Sequence, residues 1–109
     1  MPQIENIMIE QIKQARAQML TEEQKSFIKK FLKYELTRKE FAVIEGARHF
    51  SNHGGDEWIM RYEPQRNFMR CRAPYKCHPA ISDWLQSLGF HTDRYINRGG
   101  VEYGMKVWI

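Results

Sequence analysis

Hydrophobic positions recur along this chain at two periods, and the change from one to the other divides it into elements. Ile4, Met8, Ile12, Ala15 and Met19 return at steps of three and four, while Glu10, Gln11, Lys13, Gln14 and Arg16 mostly fill the other faces. That is the pattern of an amphipathic helix. Thr21-Glu22-Glu23-Gln24 then fits a capping box, with Thr21 as N-cap and Gln24 reaching back. It predicts a second helix with Phe27, Ile28, Phe31 and Leu32 on one side and Lys29, Lys30 and Lys33 toward the other. The short connection predicts a helical hairpin. Thr37-Arg38-Lys39-Glu40 repeats the box and predicts a third helix carrying Phe41, Ile44, Ala47 and Phe50. A strand competes with it, because Val43 and Ile44 are β-branched. Helix is the preferred reading. Ser51-Asn52-His53-Gly54-Gly55 breaks the chain.

Beyond the breaker the period falls to two. Segment 57–62 alternates, Pro64-Gln65-Arg66-Asn67 turns, and segment 68–73 returns. A four-residue loop sets Tyr62 opposite Met69, Met60 opposite Cys71 and Trp58 opposite Ala73, so this face should meet the core. Arg61 then opposes Arg70, Ile59 opposes Arg72, and Phe68 lies alongside on the outward face. His78-Pro79 opens a helix with the stripe Ile81, Trp84, Leu85 and Leu88. Gly89 should end it in the left-handed conformation, with Phe90 folding back. A last hairpin turns at Asn97-Arg98-Gly99-Gly100. Val101, Tyr103, Met105, Val107 and Ile109 then alternate with Glu102, Gly104, Lys106 and Trp108. The expected architecture is an α+β domain spanning 1–109: N-terminal helices followed by ββ-α-ββ, with a four-stranded, mainly antiparallel sheet and helices on one face.

Composition narrows the class. The 109 residues hold 14 aromatic residues (three Trp, five Tyr and six Phe), which argues against disorder and for one packed domain. No apolar run approaches the ~18 residues of a membrane span, so no membrane partner is expected. Two cysteines cannot make a disulfide scaffold. The first residues carry no basic start followed by an apolar stretch, so the expectation is a cytoplasmic protein with reduced thiols. A net charge of +4 permits a nucleic-acid or acidic protein partner without selecting one.

Four chemistries are open to these residues. His49 and His53, spaced i, i+4, with Cys71 and Cys77 downstream, are the weak candidates for a zinc site, but no Cys-x-x-Cys accompanies them and no cofactor is expected. His91-Thr92-Asp93, Glu45 with His49, and Asp56-Glu57 could act as acid–base pairs, yet no nucleophile motif, P-loop or dinucleotide fingerprint is present. Arg61, Arg70 and Arg72 with Phe68 and Ile59 form a basic, apolar strand face of the kind that stacks single-stranded nucleic acid. Arg66, Arg98 and Arg94 would extend it. The plainer reading is that arginines alternate outward on any half-exposed strand. The fourth chemistry is a protein-docking face, with Phe68, Ile59 and Trp108 as apolar anchors.

Segment 81–90, Ile-Ser-Asp-Trp-Leu-Gln-Ser-Leu-Gly-Phe, and segment 103–109, Tyr-Gly-Met-Lys-Val-Trp-Ile, carry a resemblance. This ending of helix, Leu-Gly-aromatic, strand, glycine turn and terminal Trp-bearing strand resembles small accessory proteins encoded by tailed phages. It covers about the last third of the chain. The resemblance implies a compact protein in the host cytoplasm that binds stoichiometrically to a host or viral protein, redirecting or inhibiting an enzyme of a nucleic-acid-processing or defence complex. It transfers no site residue. The expected function is therefore non-catalytic docking through Arg61, Phe68, Arg70 and Arg72, with Arg66 and Arg98 at the rim. Direct DNA or RNA binding by the same face is the first alternative, and a small metal-assisted enzyme the second.

Overall fold

A computed structural model describes residues 2–46, 58–96, 99 and 102–109. Helices α1 (Pro2–Ala17) and α2 (Glu22–Arg38) lead into strands β1 (Ala42–Gly46), β2 (Ile59–Glu63) and β3 (Phe68–Ala73). Helix α3 (His78–Ser87) and strands β4 (His91–Ile96) and β5 (Glu102–Trp108) follow. The strands form one five-stranded sheet in the order β2-β3-β1-β5-β4. β1 runs parallel to β3, and every other neighbouring pair is antiparallel. The α+β class stands. The four-stranded, mainly antiparallel sheet does not: the sheet is mixed, and its extra strand is β1 at its centre.

That strand occupies the start of the segment expected as a third helix. The second capping-box match is not used as a helix start, because α2 runs through Thr37 to Arg38 and Thr37 Oγ1 donates to the Lys33 carbonyl within it. Lys39 then turns extended and caps α2 through its N–H to the Glu35 carbonyl. From there the alternation wins. Ala42, Ile44 and Gly46 are buried while Val43 and Glu45 are half-buried, and β-branched residues suit such a pleated surface. Ala47, Phe50 and the Ser51-to-Gly55 breaker lie outside the described residues.

The first capping box forms as expected: Thr21 Oγ1 accepts the Gln24 N–H at 3.1 Å, and Gln24 Oε1 accepts the Thr21 N–H at 3.0 Å. α2 lays Ile28, Phe31 and Leu32 into one cluster with Ala42 and Ile44 of β1, Met69, Cys71 and Ala73 of β3, Ile81 and Leu85 of α3, and Val107 of β5. Each large side chain buried there contributes about 1.5–3 kcal/mol. The α3 terminus is also as predicted. Pro79 sits in its first turn, Gly89 takes φ +100°, and the Phe90 N–H closes on the Leu85 carbonyl. The hairpin of α1 and α2 is not formed. α1 packs against α3 instead, and Arg16 reaches Asp83 at 3.2 Å.

One buried charge shapes the sheet. Glu35 of α2 accepts the Met69 N–H at 2.9 Å with one oxygen and pairs with Lys39 at 2.9 Å through the other. Among the described residues the β1–β3 ladder holds at Glu45–Arg72 and Gly46–Ala73, so Glu35 serves Met69 where pairing with β1 is not made. On the other side of β1, a Cβ at Gly104 would come within 2.2 Å of the Ile44 carbonyl oxygen, so β5 can approach β1 this closely only with glycine there.

Candidate functional site

The β2–β3 ribbon has the predicted register: Tyr62 opposes Met69, Met60 opposes Cys71, Arg61 opposes Arg70 and Ile59 opposes Arg72. Side-chain alternation then divides the whole sheet. Met69, Cys71, Ala73, Ile44 and Val107 turn toward α2 and α3 and are buried. The second face carries Ile59, Arg61 and Glu63 from β2, and Phe68, Arg70 and Arg72 from β3. Val43 and Glu45 of β1, Lys106 and Trp108 of β5, and His91, Asp93 and Tyr95 of β4 complete it. Among the described residues, no helix lies over this face.

Its β2–β3 half is an ion-pair lattice. Glu63 Oε1 is 3.2 Å from Arg61 Nε and 3.5 Å from Arg70 Nη1, and Arg70 Nε lies 3.4 Å from Glu45 Oε1. Arg72 stands beside Glu45 in the ladder. Phe68 is half-buried, with the Lys39 ammonium 5.7 Å from its ring centre. Behind it a cavity of about 450 Å³ opens at the split between β1 and β3, walled by Phe41, Phe68, Glu35 and Arg70. The β4–β5 half is aromatic. Lys106 sits 4.6 Å from the Phe41 ring centre and 5.3 Å from that of Trp108. His91 stacks on Trp108 at 5.5 Å, and Tyr95 meets Phe41 at 6.1 Å. Such cation–aromatic contacts favour rings held at a half-exposed surface. The described face therefore sets Arg61, Arg70, Arg72 and Lys106 against Glu45, Glu63 and Asp93, four positive groups to three negative.

The structure thus brings Arg61, Phe68, Arg70 and Arg72 together on one face. Arg66 lies exposed in the short 3-10 turn between β2 and β3, at the rim. Arg98 lies outside the described residues. Arg94 does not extend the patch: it opposes Met105 and so belongs to the helix-covered face, where it lines a smaller cavity with His78 and Ser82. His49 and His53 also lie outside the described residues. Cys71 and Cys77 are buried and not joined in a disulfide. Burial first, with the charge of Glu45 adding, pushes the Cys71 thiol up to about 12, which disfavours the thiolate a metal requires. Among the described residues no three potential metal ligands converge.

Sequence reasoning missed Phe41, Tyr95 and His91 as a ring cluster, and Glu45 and Glu63 as counter-ions. The helix reading of segment 38–50 hid Phe41 and Glu45. A period of two through Ala42, Ile44 and Gly46 would have turned Glu45 to the face away from the helices, though not beside any particular strand. No family model, curated protein or solved structure matches the chain. No helix among the described residues is long and apolar enough to cross a membrane.

Proposed function

We propose that this chain is a non-catalytic binding protein that docks the open face of its sheet on a macromolecular partner, and that the partner is a protein. The observation that carries this reading is the pairing of charges on the face. Arg61 and Arg70 already share Glu63, and Arg70 also reaches Glu45, so the surface offers alternating signs around apolar rings and not an uninterrupted positive field. A mosaic of Arg and aromatic side chains with paired charges suits a protein surface of complementary pattern. A phosphate backbone rewards unpaired cations. Phe68 and Trp108 would be the desolvated anchors, with Arg61, Arg70 and Arg72 fixing orientation and Arg66 and Arg98 at the rim. The phage-type accessory role implied by the C-terminal resemblance, with a host nucleic-acid-processing or defence complex as target, belongs to the same reading.

Direct nucleic-acid binding is the second reading. It is favoured by the Trp108–His91 stack beside Lys106, the kind of platform on which unpaired bases stack. Titration with single- and double-stranded oligonucleotides at low and moderate salt separates the two. The protein-docking reading predicts no binding at moderate salt. A steep salt dependence that disappears in Arg70→Ala/Arg72→Ala would establish the second reading in its place.

A further inference from the structure

We infer that helix α1 is a self-association surface, and that two copies of this chain pair through antiparallel α1 helices. α1 is amphipathic, yet its apolar side is not the side that meets the domain. Toward α3 it turns Glu10, Lys13, Gln14 and Ala17, which border a cleft with Asp83 and Trp84. At 3.6 residues per turn, Met8, Ile12 and Ala15 fall on the opposite side, with Met19 continuing their line just past the helix end. Met8, Ile12 and Met19 stand 43–58% exposed along this line, with exposed Ile9 at its flank beside Glu5 and Arg16, and nothing described lies against them.

The charges beside the stripe say what covers it. Glu5 near one end and Arg16 near the other flank the stripe on the same side, about 11 residues apart, three full turns at 3.6 residues per turn. Two such helices laid antiparallel, centred between Ile9 and Ile12, set Glu5 of each copy beside Arg16 of the other, twice over. A parallel two-fold pairing would carry the two charged flanks to opposite sides of the interface, where Glu5 and Arg16 of the two copies form no pair. The surface is thus complementary to itself in one orientation, as a two-fold interface requires. Arg16 can serve both contacts, since Asp83 engages only its Nη1 and a guanidinium has five donors. α1 rests on α3, on the helical side of the sheet, so this dimer leaves the open sheet face free. It stands or falls separately from the docking reading.

Sedimentation equilibrium on the full chain tests the inference. The expected mass is twice 13.1 kDa at micromolar concentration. Met8→Glu/Ile12→Glu should be a monomer with an unchanged circular dichroism spectrum, because both side chains are exposed. Glu5→Lys should weaken the dimer about tenfold, and Glu5→Lys/Arg16→Glu in an Asp83→Asn background, where the new carboxylate meets no like charge on α3, should recover it. Ala15→Cys supplies an orientation readout that does not touch the Asp83 contact. In the antiparallel pair the two thiols are offset by about 13 Å along the axis, beyond disulfide reach, whereas a parallel pair would cross-link. A wild-type monomer up to 1 mM, or a dimer indifferent to Met8→Glu/Ile12→Glu, overturns self-association through α1. Ready cross-linking of Ala15→Cys, or failure of the double charge exchange to recover the dimer, overturns the antiparallel arrangement.

Discussion

On the helix-covered face of the sheet, Met69, Cys71 and Ala73 of β3 meet Ile44 of β1 and Val107 of β5 with no charge among them. One residue further along the same strands, Arg70, Arg72, Glu45 and Lys106 occupy the open face, interleaved with Phe68 and Trp108. The backbone is shared, so the pleat alone assigns these residues to opposite duties. One face excludes water and stabilises the domain. The other holds its charges, most of them half-buried, by pairing them with each other. The buried charge of Glu35 on the covered side is tolerated because both its oxygens are engaged, one by Met69 and one by Lys39. Substitutions on the two faces should therefore differ more in kind than in position.

The largest effect is expected from Phe31→Ala, which removes a fully buried ring between α2 and the sheet. It should cost about 3–5 kcal/mol by urea denaturation. Glu35→Leu should cost about 1–3 kcal/mol, because the Met69 N–H is left buried without an acceptor. Glu35→Gln keeps an acceptor for Met69 and should recover most of that loss.

A pH effect of intermediate size belongs to the covered face. Cys71 stays protonated in the folded state up to about 12, whereas an unfolded thiol ionises near 8.5. A raised folded value means that stability is intact below about pH 8.5 and falls as pH rises toward 12, by up to ~1.4 kcal/mol per pH unit. The difference between wild type and Cys71→Ala, followed by denaturation from pH 7 to 10.5, should show this slope, and a thiol reagent should modify native Cys71 only after unfolding. The smallest change in stability is expected on the open face. Arg61→Ala and Arg70→Ala each remove partly exposed ion pairs and should shift the unfolding free energy by no more than about 1 kcal/mol.

The covered face was the more legible in the sequence. The four-residue loop and its apolar pairs predicted the β2–β3 register, because a slip of one residue would turn Met60 and Cys71 into water, although Tyr62, expected to meet the core, is 50% exposed. Gly89 and Pro79 bounded α3 for equally local reasons. β1 was hidden because Thr37 satisfies the capping-box pattern, and only the continued run of α2 shows that its hydroxyl serves Lys33 instead. The ion-pair lattice was legible in half. The arginines come from adjacent strands and follow from the ribbon register, whereas Glu45 reaches Arg70 across a parallel pairing that no local pattern encodes. The place of α1 was likewise beyond local signals. Its periodicity revealed an apolar stripe but not that the stripe would face away from α3.

The most direct measurement on the docking face is affinity capture run in parallel with wild type and with Arg61→Ala/Arg70→Ala/Trp108→Ala, both first shown by denaturation to be equally folded. The expected result is one protein retained at stoichiometric ratio by wild type in moderate salt and lost from the variant. A partner held equally well by both proteins would contradict the assignment of the open face, as would the absence of any stoichiometric protein partner for wild type.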